Sequence, residues 1–195
     1  MRILIIFFML FSLFLSGHSA DNLIINGGFD NGTLHQWISN QQGGGKVKLF
    51  AICNDAQNGS FALKCNGDQK NKYNGFITLA QVIKAKVLPT KQYQLQGFVK
   101  SNVKPSAVKS VSLAVRQVNA KGGSITYTKI PIDLSKKDWQ YYVKQFQPAK
   151  DAVQLQIYLI LSQLSSEDKV YFDDLSLKLL DDSSNKFIPG KSGPD

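Results

Sequence analysis

Asn22-Leu23-Ile24-Ile25-Asn26-Gly27-Gly28-Phe29-Asp30-Asn31-Gly32-Thr33-Leu34-His35-Gln36-Trp37 is the stretch from which the rest of the chain is best read. Leu23–Ile25 reads as a short apolar strand, the glycines after it as a bend carrying one carboxylate, Asp30, and Trp37 closes the run. Near the other end stands Val170-Tyr171-Phe172-Asp173-Asp174-Leu175-Ser176-Leu177. Between them, period-two alternation predicts strands over 46–53, 60–65, 75–83, 92–100, 110–118, 124–130, 140–146, 153–161 and 170–179. Turn chemistry separates them, as in Asn54-Asp55-Ala56-Gln57-Asn58-Gly59 and Asn119-Ala120-Lys121-Gly122-Gly123. No segment sustains a 3.6-residue apolar period, so the expected class is all-β, a two-sheet antiparallel sandwich or a barrel.

The flanks read differently. Residues 1–20 carry Arg2, an apolar run from Ile3 to Leu15 and a small-residue end at Ser19-Ala20, the pattern of a secretory signal peptide. The run is shorter than the roughly 20 apolar residues that span a bilayer. No other segment is apolar enough to span one, and the expected location is secreted or periplasmic. Residues 21–180 then form the domain, and 181–195, polar and bearing Pro189, Gly190, Gly193 and Pro194, form a flexible tail.

Charge narrows the partners. The formal net charge is +9, or 9 − 1 = +8 without Arg2, and it is carried by lysine, because Arg116 is the only other arginine. Lysine without arginine is a poor reader of bases, which argues against nucleic acid. It leaves an anionic surface or an acidic partner in play. Cys53 and Cys65 are the only cysteines, and in an exported chain they are expected to form a disulfide worth about 3 kcal/mol.

Catalytic chemistry is sparse. His35 is the only histidine beyond the leader, no Gly-x-Ser-x-Gly elbow is present, and one histidine with two cysteines does not make a zinc site of ordinary spacing. A non-enzyme is expected.

Alternation sorts the candidate binding residues. Val153, Leu155, Ile157, Leu159 and Leu161 share one parity and are expected inside, with Gln154, Gln156, Tyr158 and Ile160 outside. Likewise Gln94, Gln96, Phe98 and Lys100 face away from Tyr93, Leu95, Gly97 and Val99, and Ser112, Ala114 and Arg116 face away from Leu113, Val115 and Gln117. Rings, amides and a guanidinium on one surface suit a sugar, whose CH faces stack while its hydroxyls exchange hydrogen bonds.

The opening and closing segments, with Asn58-Gly59-Ser60-Phe61-Ala62-Leu63, Tyr73-Asn74-Gly75, Tyr93–Lys100 and Trp139 between them, resemble carbohydrate-binding modules of the family 4/9/22 group. The resemblance covers residues 22–177. It implies a galactose-binding-domain-like jelly roll that binds an oligo- or polysaccharide on a concave sheet face. By that resemblance Tyr73 and Tyr158 are cleft aromatics and Trp37 and Trp139 fall at core positions; the outward parity adds Gln96, Phe98, Arg116 and Gln156 as ligand-binding residues. The resemblance also implies one structural calcium, held by Asp30, Asp55, Ser60 and Asp173. Ile160 stands where similar modules often place a carboxylate, a departure from the xylan and glucan binders that leaves Arg116 available to an acidic sugar. Two rivals follow from the same residues: an adhesin-like envelope protein that keeps the sandwich without sugar binding, and a polysaccharide-active enzyme on the same scaffold.

Overall fold

A computed structural model describes residues 21–39, 49–67 and 76–180. Its strands are β1 (Ile38–Ser39), β2 (Phe50–Cys53), β3 (Ala62–Asn66), β4 (Phe76–Val82), β5 (Tyr93–Asn102), β6 (Ser110–Val118), β7 (Ser124–Pro131), β8 (Gln140–Phe146), β9 (Gln154–Ser162) and β10 (Lys169–Leu179). They form two five-stranded sheets, ordered β1-β4-β9-β6-β7 and β2-β3-β10-β5-β8, with antiparallel pairing throughout. This is the expected all-β jelly-roll sandwich. Residues 1–20, 40–48, 68–75 and 181–195, and with them the expected leader, Tyr73-Asn74-Gly75 and the expected tail, lie outside the described residues.

Alternation builds the core. Leu155, Ile157, Leu159 and Leu161 of β9 and Leu113 and Val115 of β6 are buried from one sheet; Leu63, Tyr93, Leu95, Val99, Phe172 and Leu177 meet them from the other. Each such side chain contributes about 1.5–3 kcal/mol of burial. The buried Tyr93 and Gln117 side chains find polar partners. The Tyr93 hydroxyl accepts from the Leu88 amide at 3.0 Å, and Gln117 reaches Thr128 and the Ala149 amide. Val153, expected inside, sits just before β9 and is exposed, because the inward parity starts with the strand at Leu155.

The opening stretch is not the strand its composition predicts. Asn22 replaces strand pairing with its side chain, which donates to Leu175 O and accepts from the Ile24 and Leu177 amides. The chain then lies along β10, with Leu23 N donating to Leu177 O and Leu175 N donating to Gly27 O. On its other side the buried Gln81 of β4 clamps the Ile25 backbone through two bonds, at 2.7 and 2.8 Å. A segment held by both sheets closes the sandwich rather than extending either one. Gly27 is required there: a Cβ would stand 2.0 Å from Leu175 O.

The disulfide is not formed. Register places Cys53 opposite Ala62 and Cys65 opposite Phe50, so the two cysteines are offset by three positions. Three is odd, so they also project from opposite sides of the sheet. Cys65 is in the core, Cys53 is half-buried, and both are free thiols.

Candidate functional site

The outer face of the first sheet is a trough of about 350 Å³ running over β1, β4, β9 and β6. Its floor is shallow because small residues flank the one large ring: Tyr158 pairs with Ala80 on one side and Ala114 on the other. The next row sets Val82, Gln156, Arg116 and Tyr127 side by side. Gln156 Oε1 accepts from Arg116 Nη1 at 3.2 Å and from the Tyr158 hydroxyl at 3.4 Å, while Gln156 Nε2 donates to Gln154 at 2.6 Å. Arg116 Nε is buried and has no hydrogen-bond partner among the described residues. Tyr127 meets Tyr158 edge to face at 6.0 Å, and the Lys129 ammonium lies 5.7 Å from the Tyr127 ring. Two rings, an amide chain and a fixed guanidinium surround an open floor, and the described trough lining carries no carboxylate.

Only half of the predicted ligand set is here. Arg116, Gln156 and Tyr158 converge, with Ile160 on the same side. Gln96 and Phe98 are on β5, whose outward residues belong to the second sheet, on the opposite side of the molecule. Both strand sets alternate correctly, but parity says which side of its own sheet a residue takes, not which sheet carries the strand. Tyr73 is outside the described residues. Alternation did not single out Tyr127 and Tyr141, because they lie on the edge strands β7 and β8, where the inward residues are themselves partly exposed.

The second outer face carries Phe98 against Tyr141 at 5.2 Å and a clamp around Lys100. That ammonium ion-pairs with Asp55 and lies 4.8 Å from the Tyr171 ring and 5.3 Å from the Trp139 ring. Trp139 is therefore a half-buried surface ring on this face and not a core residue. Trp37 is buried as expected, 5.7 Å from Phe29.

The four expected calcium ligands do not assemble. Asp55 is engaged by Lys100. Asp173 is fully buried, with Oδ2 accepting from the Gln57 and Asn58 amides and Oδ1 from the Asp174 amide. Burial pushes its carboxyl above the usual value, those three bonds pull it back, and Asp174 adds to the rise. Asp30 Oδ1 accepts from the Ser60 amide at 2.8 Å, with Gly59 (φ 63°) turning beside it. Backbone N–H groups thus engage both oxygens of Asp173 and one of Asp30, whereas calcium takes six to eight oxygen ligands. Among the described residues no three acidic, cysteine or histidine side chains form a metal cluster. The four residues expected to hold the ion are spread over separate contacts.

Two packed five-stranded sheets with ring- and amide-bearing outer faces define the protein as a β-sandwich. Residues 21–167 match the family described as carbohydrate binding domain, and the chain belongs to that family. In structure it is similar to the CBM22-1 xylan-binding domain of Paenibacillus barcinonensis Xyn10C, with TM-score 0.56 and 19% identity over 82% of this chain and 95% of that one. It is also similar to TmCBM61 in complex with β-1,4-galactotriose, with TM-score 0.53 and 16% identity over 83% of this chain and 100% of that one. The enzymatically active domain of bacteriophage CBA120 tailspike protein 4 gives TM-score 0.65 and 15% identity over 82% of this chain; the chain spans only 21% of that one. At such identities the likeness is one of fold. No curated protein sequence matches the chain. Family membership supports a carbohydrate-binding role.

Proposed function

We propose that the protein binds an oligo- or polysaccharide in the trough of the first sheet, without chemical turnover and outside the cytoplasm. The observation that carries the reading is the shared acceptor: Gln156 Oε1 holds Arg116 and Tyr158 in fixed positions above a floor kept open by Ala80 and Ala114. Pre-set donors lose little freedom on meeting a ligand, and the ring offers a CH-stacking surface. Arg116 and Lys129 favour a sugar bearing negative charge over a strictly neutral chain.

Binding without turnover is supported by the lining. Glycoside hydrolysis needs two carboxylates about the scissile bond, and the described trough lining supplies an arginine, an amide, hydroxyls and apolar groups. Export is supported by the charge and apolar pattern of residues 1–20. Among the described residues no helix is long and apolar enough to cross a membrane.

The test is gel retardation on a panel of neutral and uronic-acid polysaccharides, comparing the parent with Arg116→Ala,Tyr158→Ala. Retardation of the parent that the double variant loses supports the reading; equal retardation removes the trough from it. Release of reducing ends from any retarding polysaccharide would overturn the non-catalytic part. N-terminal sequencing of material recovered outside the cell should find Asp21 first.

A further inference from the structure

We propose that the second sheet holds a separate saccharide site, a pocket for one neutral sugar ring at the bulge of β10, so that ligands are bound on two opposed faces. The pocket itself does not rest on the trough reading; only two-sided gripping requires both.

The register of β10 against β5 breaks between Asp173 and Ser176. There the surface sinks into a depression of about 290 Å³, lined by Gln96, Phe98, Tyr141, Asp174, Ser176 and Lys178 with Gly28 at its rim. Ser176 is only 6% exposed, and its Oγ has no hydrogen-bond partner among the described residues. A buried hydroxyl left unpaired is costly to the fold, and native structures keep few of them. A ligand hydroxyl entering the depression would repair that deficit.

The remaining groups specify the ligand. Asp174, at a left-handed φ of 47°, accepts from Asn58 Nδ2 through Oδ2. Its Oδ1 and Asp30 Oδ2 each lie 3.3 Å from where a Gly28 Cβ would stand, so the missing side chain leaves room beside both acceptors. Gln96 Oε1 accepts from the Tyr141 hydroxyl at 2.9 Å and from Gln94 Nε2 at 2.6 Å, which fixes the amide and turns its own NH₂ outward as a donor. An acceptor (Asp174), donors (Gln96, Lys178) and a two-way hydroxyl (Ser176) beside the Phe98–Tyr141 ring pair match a vicinal diol on a sugar with one apolar face. A phosphate or uronate would meet the Asp174 carboxylate. An apolar peptide would leave Asp174, Ser176 and Lys178 unpaired.

The experiment is saturation-transfer NMR with a panel of neutral mono- and disaccharides on three proteins: the parent, Arg116→Ala,Tyr158→Ala, and that variant with Tyr141→Ala added. Tyr141 is half exposed, so its removal spares the core. A sugar signal that persists without the trough residues and falls about tenfold in affinity on losing Tyr141 is the expected result. Ser176→Ala supplies a second readout: it should weaken that sugar while leaving the melting temperature unchanged or raised. No neutral sugar binding to the trough variant, or binding indifferent to both Tyr141→Ala and Ser176→Ala, overturns the second site. Loss of all binding with Arg116→Ala,Tyr158→Ala alone overturns it while leaving the trough reading intact.

Discussion

The two outer faces of this sandwich are built from the same alternation yet differ in how they treat charge. On the first sheet Arg116 is held by an uncharged amide, and no described carboxylate lines the trough. On the second, Lys100 is pinned between Asp55 and two rings, while Asp174 and Lys178 share one depression. A cation held by a neutral partner keeps its field for a ligand; a cation paired with a carboxylate has largely spent it. The first face is thus suited to a charged saccharide and the second to a neutral one. A common fold does not make the two surfaces equivalent.

The largest effect should come from breaking the first face. Arg116→Ala,Tyr158→Ala removes a charge-assisted donor and the central ring, and affinity for a uronic-acid polysaccharide should fall about a hundredfold. Binding by the parent should weaken as salt rises, while any neutral sugar on the second face should be indifferent to it. Isothermal titration at low and high salt separates the two. A salt-independent first face would cancel the contrast.

Two aspartates on or beside β10 should respond oppositely to pH. Burial raises the Asp168 carboxyl, but Lys109 at 2.7 Å, the Ser165 hydroxyl and amide and the Lys104 amide outweigh it and hold it below its ordinary value. Its stabilisation is complete above the unfolded value and is lost as pH falls through the folded one. Asp173 is held above its ordinary value, chiefly by burial. Its contribution is greatest in acid and declines as pH rises through the folded value. Asp168→Asn should therefore cost about 3 kcal/mol at neutral pH, with the loss shrinking toward acid. Asp173→Asn should lose ground relative to the parent as pH falls. Urea melts across pH 3–7 read both slopes, and parallel slopes would refute the assignment.

Gly27→Ala tests the opening segment where it lies against β10 of the second face. Its Cβ would collide with Leu175 O beside the bulge, and the opening segment would have to move at a cost of about 2 kcal/mol. The melting temperature should drop, and sugar binding at the depression should weaken while retardation by the trough persists. The smaller calcium effect follows from the filled Asp173 oxygens: about 1 mM calcium against chelator should move the melt by less than about 1 °C. A larger shift would mean that the amides around Asp173 give way to an ion.

Much of this was legible in sequence, and the limit has a physical form. Strand β6 was read to the residue at both ends, and the inward set Leu155, Ile157, Leu159 and Leu161 is the observed core, because burial on one side writes a period-two pattern. The same pattern placed Gln96 and Phe98 with Arg116, Gln156 and Tyr158, because alternation carries no information about strand order across sheets. Trp139 was expected inside from the family resemblance, whereas Lys100 beside it turns a large ring into a surface partner. Asn22-Leu23-Ile24-Ile25 has a strand's composition, but its pairing is taken over by the Asn22 and Gln81 side chains, whose reach depends on tertiary neighbours.

The smallest expected effect concerns the two sides of a single strand pair. Cys65 faces the core, where burial first and Cys53 second push its thiol well above the ordinary range. Only a thiolate alkylates readily, so Cys65 should resist iodoacetamide in the native protein. Cys53, half-buried across from Ala62, should take one label per molecule, with a second appearing only in denaturant. Since the three-position offset leaves no bond to reduce, dithiothreitol should shift the melting temperature by less than about 1 °C, whereas loss of a native disulfide costs about 2–5 kcal/mol. Mass spectrometry showing no native labelling, together with a melt that collapses on reduction, would mean that β2 and β3 pair in a different register. It would then move the edge of the second face that β2 and β3 form.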